Sequence, residues 1–502
     1  MNTHAIRLHS SDNVVIALAD LPVGAEVEGM QLLTAIPRGH KIAVAAIPAG
    51  GLVLRYGQII GQALADIPAG AHVHSHNLGM GPHSTDYAIG AESVALPALP
   101  PRSFMGYHRP DGTVGTRNYL GILTSVNCSG SVARFIAEAA ERDPVLSSMP
   151  NIDGFVPIVH NTGCGMSGVN EGYETLMRTL KGYARNANFG GILLVGLGCE
   201  VMQVPDLVGQ GRLRPDGNFR YMTIQGLGGT RATIAKGLEV LREMAVVAGA
   251  VQRTPAPVSK LIVGLQCGGS DGYSGITANP ALGAASDMLV QMGGTTILSE
   301  TPEIYGAEHL LTRRAVDQAT GEKLLERIRW WEGYTAQNGG EMDNNPSPGN
   351  KKGGLTTILE KSLGAVAKGG TAPLAGVYKF AEPITAPGFV YMDSPGYDPC
   401  SVTGQIASGA TMIVFTTGRG SVSGYKPSPC IKLATNDEMY QRMAEDMDIN
   451  CGDILTRGVS IEAKGAEILD KIISVASGEQ SYSEQLGFGG AEFVPWQIGA
   501  VM

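Results

Sequence analysis

Residues 260–280 read KLIVGLQCGGSDGYSGITANP. A short apolar run from Leu261 to Leu265 reaches Cys267 and gives way to a loop with glycines at 268, 269, 272 and 275, ended by Pro280. A run of that length bounded by turn residues reads as a buried strand. The same grammar recurs upstream, where GILTSVNC ends at Cys128, GFVPIVHNTGC at Cys164 and GGILLVGLGC at Cys199. Four predicted strands thus each deliver one thiol at or just past the carboxyl end. In open α/β sheets that edge is where ligands bind, because the strand-to-helix loops there are free to carry chemistry. Glycines and helix starts follow each thiol, and backbone N–H groups and the helix dipole stabilise a thiolate there. CGGSDGYSG is therefore expected to be a loop for close approach to a ligand, not for packing. Buried filler is the competing reading of each thiol, since free cysteine is among the most buried residue types.

The rest of the chain divides around this pattern. Residues 1–95 repeat a turn, LPVG at 21, IPRG at 36, IPAG at 47 and IPAG at 67, each followed by a short apolar run. Proline sets the first turn position and glycine supplies positive φ, which predicts a compact all-β unit of short strands. The proline-rich stretch VALPALPPRS predicts a semi-rigid linker over 96–110. Beyond it, short apolar runs alternate with helical stretches such as SVARFIAEAAERD and TRATIAKGLEVLREMAVVAGAVQR. That rhythm predicts parallel sheets covered by helices. QRTPAPVSK at 252–260 separates a first α/β domain over 111–252 from a second over 258–502. The segment 338–354, NGGEMDNNPSPGNKKGG, has no apolar periodicity and reads as a functional loop or lid.

Composition limits the partners. The chain has 502 residues and a net charge of -9, with 17% charged residues. Nucleic acid and anionic membrane are excluded as partners because no basic face is available. No run approaches the ~20 apolar residues of a transmembrane helix, and MNTHAIRLHSSDN lacks a signal-peptide pattern. A cytoplasmic protein is expected, with a homodimer as the default assembly. Seven cysteines, an odd number, suggest thiols for metal or catalysis, or small buried hydrophobes, rather than a disulfide framework. Cys400, Cys430 and Cys451 lack the strand-end placement and are assigned to packing.

Other candidates fall in the same loops. His160 in HNTGC is a candidate for proton transfer or ligation, against a structural hydrogen-bonding role. Glu200, beside Cys199, is a candidate base or metal ligand, and Asp271 a catalytic or hydroxyl-binding carboxylate, against an Asx turn. Lys351 and Lys352 in GNKKGG and Arg419 in TTGRG are cations among glycines, suited to a carboxylate. His72, His74 and His76 in HVHSHN would share one face of a strand, a metal-ligand spacing. GLGGT at 226–230 is no phosphate loop, so cofactor-free or metal chemistry is favoured over a nucleotide.

Taken as a set, LHSSDNVVIALADLPVG, IPRGHKIAV, YGQIIGQALADIPAG and HVHSHN resemble a small SAF (β-clip) domain. DGTVGTRN, HNTGCG, VGLGCE, LQCGGSDGYSGITANP, NPSPGNKKGG and FTTGRG resemble the altronate and galactarate dehydratases, in the same order over nearly the whole chain. PEIYGAEHLL and HVHSHN resemble the altronate branch more closely. The resemblance implies an N-terminal SAF domain before two Rossmann-like α/β domains. It also implies a hydro-lyase that dehydrates a hexonic or hexaric sugar acid, D-altronate before galactarate, to a 2-keto-3-deoxy acid. Fe2+ is the implied ion, with Mn2+ or another divalent ion as a substitute. Removing the C2 proton builds charge beside a carboxylate, so the site needs an ion or paired cations there and an acid for the C3 hydroxyl. On this reading His160, with Glu200, moves the proton. Lys351, Lys352 and Arg419 grip the carboxylate, and Ser270, Asp271 and Asn350 hold hydroxyls. Cys128, Cys164, Cys199 and Cys267 form an iron site, either mononuclear or an iron–sulfur cluster, and His72 and His74 are further ligands. A sulfolactate sulfo-lyase-type C–S lyase and a non-catalytic sugar-acid binding protein remain the alternatives.

Overall fold

The computed structural model describes residues 4–81, 86–209, 213–214 and 216–501. The N-terminal unit is all β. One antiparallel sheet has the order Ala5–Ile6, Val14–Ala17, Lys41–Ala43, His72–Val73, and another joins Leu52–Arg55, Gln58–Ala63 and Leu78–Gly79. The four repeated turns build it. Gly24, Gly39, Gly50 and Gly70 all have φ between 78° and 80°, a left-handed position that glycine takes without strain. The residue opening each turn is buried, and bridges pair them two by two, Leu21 with Ile36 and Ile47 with Ile67.

Two parallel α/β sheets follow. The first has the order Phe155–Ile158, Tyr119–Thr124, Phe189–Gly196, Phe219–Thr223. Its strand side chains alternate between two apolar layers. Leu193 and Val195 meet helices Gly130–Glu141 and Thr230–Gly249, whereas Ile192 and Leu194 meet the helix Glu171–Arg185. The second sheet has seven strands: Leu374–Tyr378, Gly388–Met392, Thr295–Leu298, Ile262–Cys267, Met412–Thr417, Cys430–Ala434 and Ile449–Asn450. All its neighbours are parallel, and the chain moves outward from Ile262–Cys267 to one side and then returns to build the other. Cys267 therefore ends the strand from which the order reverses, a topological switch point.

The linker expectation is corrected. Ser103–His108 is a strand that pairs antiparallel with Val114–Gly115 on one side and Thr254–Pro257 on the other, so both predicted breaks meet in one small sheet. Pro255 and Pro257 sit on an edge strand, where a missing N–H costs no ladder bond, while Ala256 packs with Phe104 and Val114. The α/β domains are also fused more closely than a break implies. Asn186 donates to the carbonyls of Ile406 and Ala410, and a Cβ on Gly182 would lie 2.1 Å from the Ala407 oxygen.

The β unit docks on the carboxyl edge of the seven-stranded sheet, and a buried carboxylate stands at the centre of that contact. Glu360 accepts from Lys41 Nζ at 2.8 and 2.9 Å, from Arg55 Nη1 at 2.5 Å and from the Thr356 hydroxyl at 2.7 Å. Burial alone would raise its pKa, but Lys41 and Arg55 pull it down to about 2. Replacing this carboxylate strands two buried cations, so Glu360→Ala is expected to destabilise the protein by about 3–5 kcal/mol. Chemical denaturation checks this, and an unchanged midpoint would show that the β unit is held by something else.

Candidate active site

A cavity of about 440 Å³ opens at the carboxyl edge of the seven-stranded sheet. That volume suits a six-carbon acid. Three strand-end loops supply its floor: Gly268 and Gly269 after Ile262–Cys267, Pro302 and Glu303 after Thr295–Leu298, and Gly396 and Asp398 after Gly388–Met392. A Cβ on Gly268 would come within 2.1 Å of Asp398 Oδ2, so only glycine lets these loops meet. Trp331 forms one wall, and Glu341, Asn344, Asn345, Ser347 and Asn350 of the 338–354 segment form another. Lys361 reaches in from the helix Ile358–Val366.

Charge at the cavity is organised around buried lysines. Lys361 Nζ donates to Glu303 Oε1 at 2.7 Å and to Asn345 Oδ1 at 2.8 Å, and Asn345 Nδ2 donates to the same Glu303 oxygen. An ammonium has three donors, so one remains after these two bonds. Deeper in, Lys368 Nζ lies 2.8 Å from Cys267 Sγ and 3.6 Å from Glu300, and Cys267 Sγ lies 3.6 Å from Glu303 Oε2. Burial pushes the Cys267 thiol up to about 12, although Lys368 opposes the shift. Burial and the neighbouring Glu303 push Glu300 well above its ordinary value, whereas Lys361 and Lys368 hold Glu303 below its own despite burial. Burial, with repulsion from Glu303, raises Asp398 to about 7. Glu300 also holds a left-handed backbone, φ 74°, which costs a residue with a side chain about 1–3 kcal/mol.

The predicted site residues are distributed differently. Of them, Asn350 lines the cavity, and it also caps its own helix and donates to the Ser270 carbonyl at 2.8 Å. Asp271 is buried and accepts from Ser274, Thr435, Asn436 and the Tyr273 N–H, so it ties loops together. His160 is not among the residues that line the cavity. Its Nε2 bonds the Thr124 carbonyl, its Nδ1 accepts from the Thr162 N–H, and burial pushes its pKa down to about 4. Glu200 is likewise consumed, accepting from Ser125 Oγ and the N–H groups of Leu197 and Gly198. Arg419 and Lys352 are exposed, and Lys351 is half-buried. His74 Nε2 bonds the Lys351 carbonyl at 2.8 Å and its Nδ1 the Ser75 hydroxyl, while His72 Nε2 lies 3.0 Å from His40 Nδ1, whose ring also reaches the Lys352 carbonyl. These histidines latch the β unit onto the 347–354 segment, and both nitrogens of His74 are spent on protein partners.

The glycine loop is also corrected, in part. Gly268 and Gly269 face the cavity, but Gly272 and Gly275 exist for packing. Added Cβ atoms there would lie 2.2 Å from the Gly39 oxygen and 2.5 Å from the Tyr56 hydroxyl. The four strand-end thiols do not form one group. Cys267 is buried at the second sheet, while Cys128, Cys164 and Cys199 are exposed at the edge of the first. Two groups of residues therefore bear on the implied iron. Cys267, Glu300 and Glu303 offer atoms within 4.8 Å of one another. However, Lys368 and Lys361 already stand against all three, and an ion there would have to displace a buried ammonium, so this set fits poorly. The three exposed thiols are not brought within 4.8 Å of one another as a donor set. Glu300, Glu303, Lys361, Lys368 and Asp398 were not singled out from sequence. The signal for Glu300, Glu303 and Asp398 is the strand-end position of SETPE after TTIL and of DSPGYD after FVYM; Lys361 and Lys368 carry none.

Comparison with known proteins places the chain. Residues 3–81 match the altronate/galactarate dehydratase SAF domain, 106–249 the second domain of D-galactarate dehydratase/altronate hydrolase, and 258–501 the C-terminal domain of D-galactarate/altronate dehydratase. The chain is 38% identical over 495 residues to galactarate dehydratase (L-threo-forming) of Escherichia coli strain K12, covering 96% of this chain and 94% of that protein. It is 36% identical over 491 residues to altronate dehydratase of the same strain, covering 96% and 97%. It is 32% identical over 394 residues to (2R)-sulfolactate sulfo-lyase subunit beta of Chromohalobacter salexigens, covering 77% and 95%. No described helix is long and apolar enough to cross a membrane.

The histidine latch has a pH signature. Burial and mutual repulsion hold His72 down to about 3, and burial holds His74 down to about 4. Unfolded imidazoles take up protons near pH 6.5, so between that value and the folded ones the unfolded chain binds more protons. The latch's contribution is present above about pH 6.5 and declines as pH falls toward 4. Thermal midpoints measured from about pH 7 to 4.5 are expected to fall more steeply for the natural protein than for a His72→Gln, His74→Gln variant; parallel curves would remove the latch as their cause.

Proposed function

The chain belongs to the altronate/galactarate dehydratase family, and we propose that it dehydrates a six-carbon monoacid of the altronate type in the Lys361–Asp398 cavity. It is a hydro-lyase acting on a sugar acid. What supports the placement is one juxtaposition, an ammonium with a free donor beside a carboxyl group poised near neutrality. Lys361 binds the substrate carboxylate and stabilises the negative charge that develops when the adjacent C2 proton leaves. Asp398, ionised, takes that proton. The C2–H electrons form the C2=C3 bond, the C3–O bond breaks, and the protonated Asp398 returns its proton to the departing hydroxyl as water. The enol acid then tautomerises to the 2-keto-3-deoxy acid. Iron, where bound, would supply a Lewis acid; the described donors within 4.8 Å of one another are Cys267, Glu300 and Glu303, where it would have to displace Lys361 and Lys368.

The altronate preference rests on charge. Among the described residues lining the cavity, Lys361 is the one cation, against Glu303, Glu341 and Asp398. A diacid would bring its second carboxylate toward exposed Glu341 without a partner, whereas a monoacid presents a neutral hydroxymethyl end. Glu341→Gln is expected to raise kcat/KM for galactarate relative to altronate.

Asp398→Asn is expected to lower kcat by about 10²–10⁴-fold with little change in KM. In the natural enzyme kcat/KM rises with pH through about 7 as Asp398 ionises. Keto-acid formation from altronate and galactarate reads both. Undiminished turnover in the Asn variant would move the chemistry elsewhere. Sulfite release from sulfolactate, without keto-acid from either sugar acid, would assign the C–S lyase reaction instead.

A further inference from the structure

We propose that the C-terminal stretch 491–501 is a strap whose Trp496 seats Trp331, a wall of the Lys361–Asp398 cavity, which makes Trp496 a positioning residue for substrate binding; this rests on that cavity being where the sugar acid binds. Trp331 lies on the helix Gln318–Gln337 and is fixed from two directions. Its Nε1 donates to the buried Asp393 Oδ1 at 2.8 Å. Its ring lies parallel to that of Trp496, with 2° between the planes and 5.3 Å between ring centres. That is an offset stack, the geometry in which an aromatic pair adds attraction beyond the area it buries. One hydrogen bond fixes an edge of the Trp331 indole, and the stack fixes its plane. Both indoles are buried, and Phe380 meets Trp496 edge-on at 5.6 Å.

Trp496 takes its own place from both α/β domains. Residues 492–498 form neither helix nor strand, so the segment has no ladder of its own and is placed by what it touches. The Val494 N–H donates to Thr403 Oγ1 at 2.9 Å, on the helix Asp398–Ala407 that begins with the proposed base. The other contacts lie on the first α/β domain. Phe493 stands edge-on to Tyr183 at 4.5 Å, Gln497 Nε2 donates to Asn161 Oδ1, and Val501 forms a β-bridge with Met166. A Cβ on Gly172 would lie 2.0 Å from the Ile498 oxygen, so only glycine lets the strap lie against the helix Glu171–Arg185. Among the described residues lining the cavity, none comes from this domain. The strap is the route by which the domain nevertheless sets one wall of the site.

The chain's three tryptophans, Trp330, Trp331 and Trp496, all fall in this cluster, so their emission reports on it. In the full-length protein Trp496→Ala is expected to raise KM for altronate about 3–10-fold with kcat little changed, and to increase acrylamide quenching of the remaining tryptophans. Trp496→Phe, which keeps a ring for the stack, should fall between the natural protein and the Ala variant. Where circular dichroism shows that Trp496→Ala does not fold, a chain ended after Trp496 carries the test: it keeps the indole, loses the Asn161, Gly172 and Met166 contacts, and is expected to show the same rise in KM. Asp398→Asn should keep the natural KM and quenching, so failure of the proton-transfer assignment reads separately. No turnover of altronate or galactarate by the natural protein would sink the cavity reading itself. With turnover present, an unchanged KM in the Ala variant or the shortened chain, or a loss confined to kcat, would overturn the strap.

Discussion

The buried Glu360 carboxylate is the contact on which the rest of the molecule turns. It answers Lys41 from one strand of the β unit and Arg55 from another, and its own helix carries Lys361 into the cavity one residue later. Desolvating three charges is expensive, and a buried ion pair seldom adds net stability over an apolar contact. What it adds here is position. Two cations from one domain and a carboxylate from another satisfy each other in one arrangement, which sets the β unit against the glycine loop and fixes the register of the helix that presents Lys361. The Arg55 Nη2 bond to the Gly272 carbonyl at 2.6 Å and the Lys41 bond to the Gly354 carbonyl at 2.7 Å carry that position into both loops beside the cavity.

The cavity follows the same logic of mutual satisfaction at one remove. Glu300, Glu303 and Asp398 cannot all ionise so close together in a dry site. The charges of Lys361, which touches Glu303, and of Lys368, which lies 3.6 Å from Glu300, settle the contest in favour of Glu303 and leave Glu300 and Asp398 shifted upward. Groups of one chemical type pushed apart in acidity are what acid–base chemistry near neutral pH requires. Lys361 stays charged because burial is outweighed by Glu303, so it can oppose developing negative charge without reorganising.

The architecture was largely legible in the sequence because its signals are local. Prolines and glycines at fixed offsets marked the β unit, and short apolar runs marked both sheets, including Phe189–Gly196 and Ile262–Cys267. Four strands of the two parallel sheets escaped, as did the three of the small sheet Ser103–His108, Val114–Gly115 and Thr254–Pro257. Phe219–Thr223 is polar, Leu374–Tyr378 and Cys430–Ala434 follow glycine- and proline-rich stretches, and Ile449–Asn450 is two residues long. The site was legible as a place, the carboxyl edge, but not as residues. Lys361 and Lys368 lie on a helix and a helical turn whose pattern reads as ordinary amphipathicity, and Asp398 reads as a helix-start acid. Their chemistry arises only when distant segments desolvate one another. Conversely, His160, Glu200 and Asp271 were conspicuous because tight loops need internal hydrogen bonds, which is the use the fold makes of them.

Four cysteines with the same strand-end grammar meet two fates, and the difference lies in what covers each edge. The β unit packs on the edge of the seven-stranded sheet, with Tyr273 donating to the Ala17 carbonyl at 2.7 Å and the Arg38 guanidinium over the Tyr273 ring. Beneath that cover Cys267 is dehydrated, paired with a lysine and kept as a thiol. The four-stranded sheet has its three thiols exposed at the same edge. A position in a fold therefore proposes chemistry, but solvent access decides it. An enclosed thiol is held protonated by its burial, whereas the three open thiols keep contact with solvent.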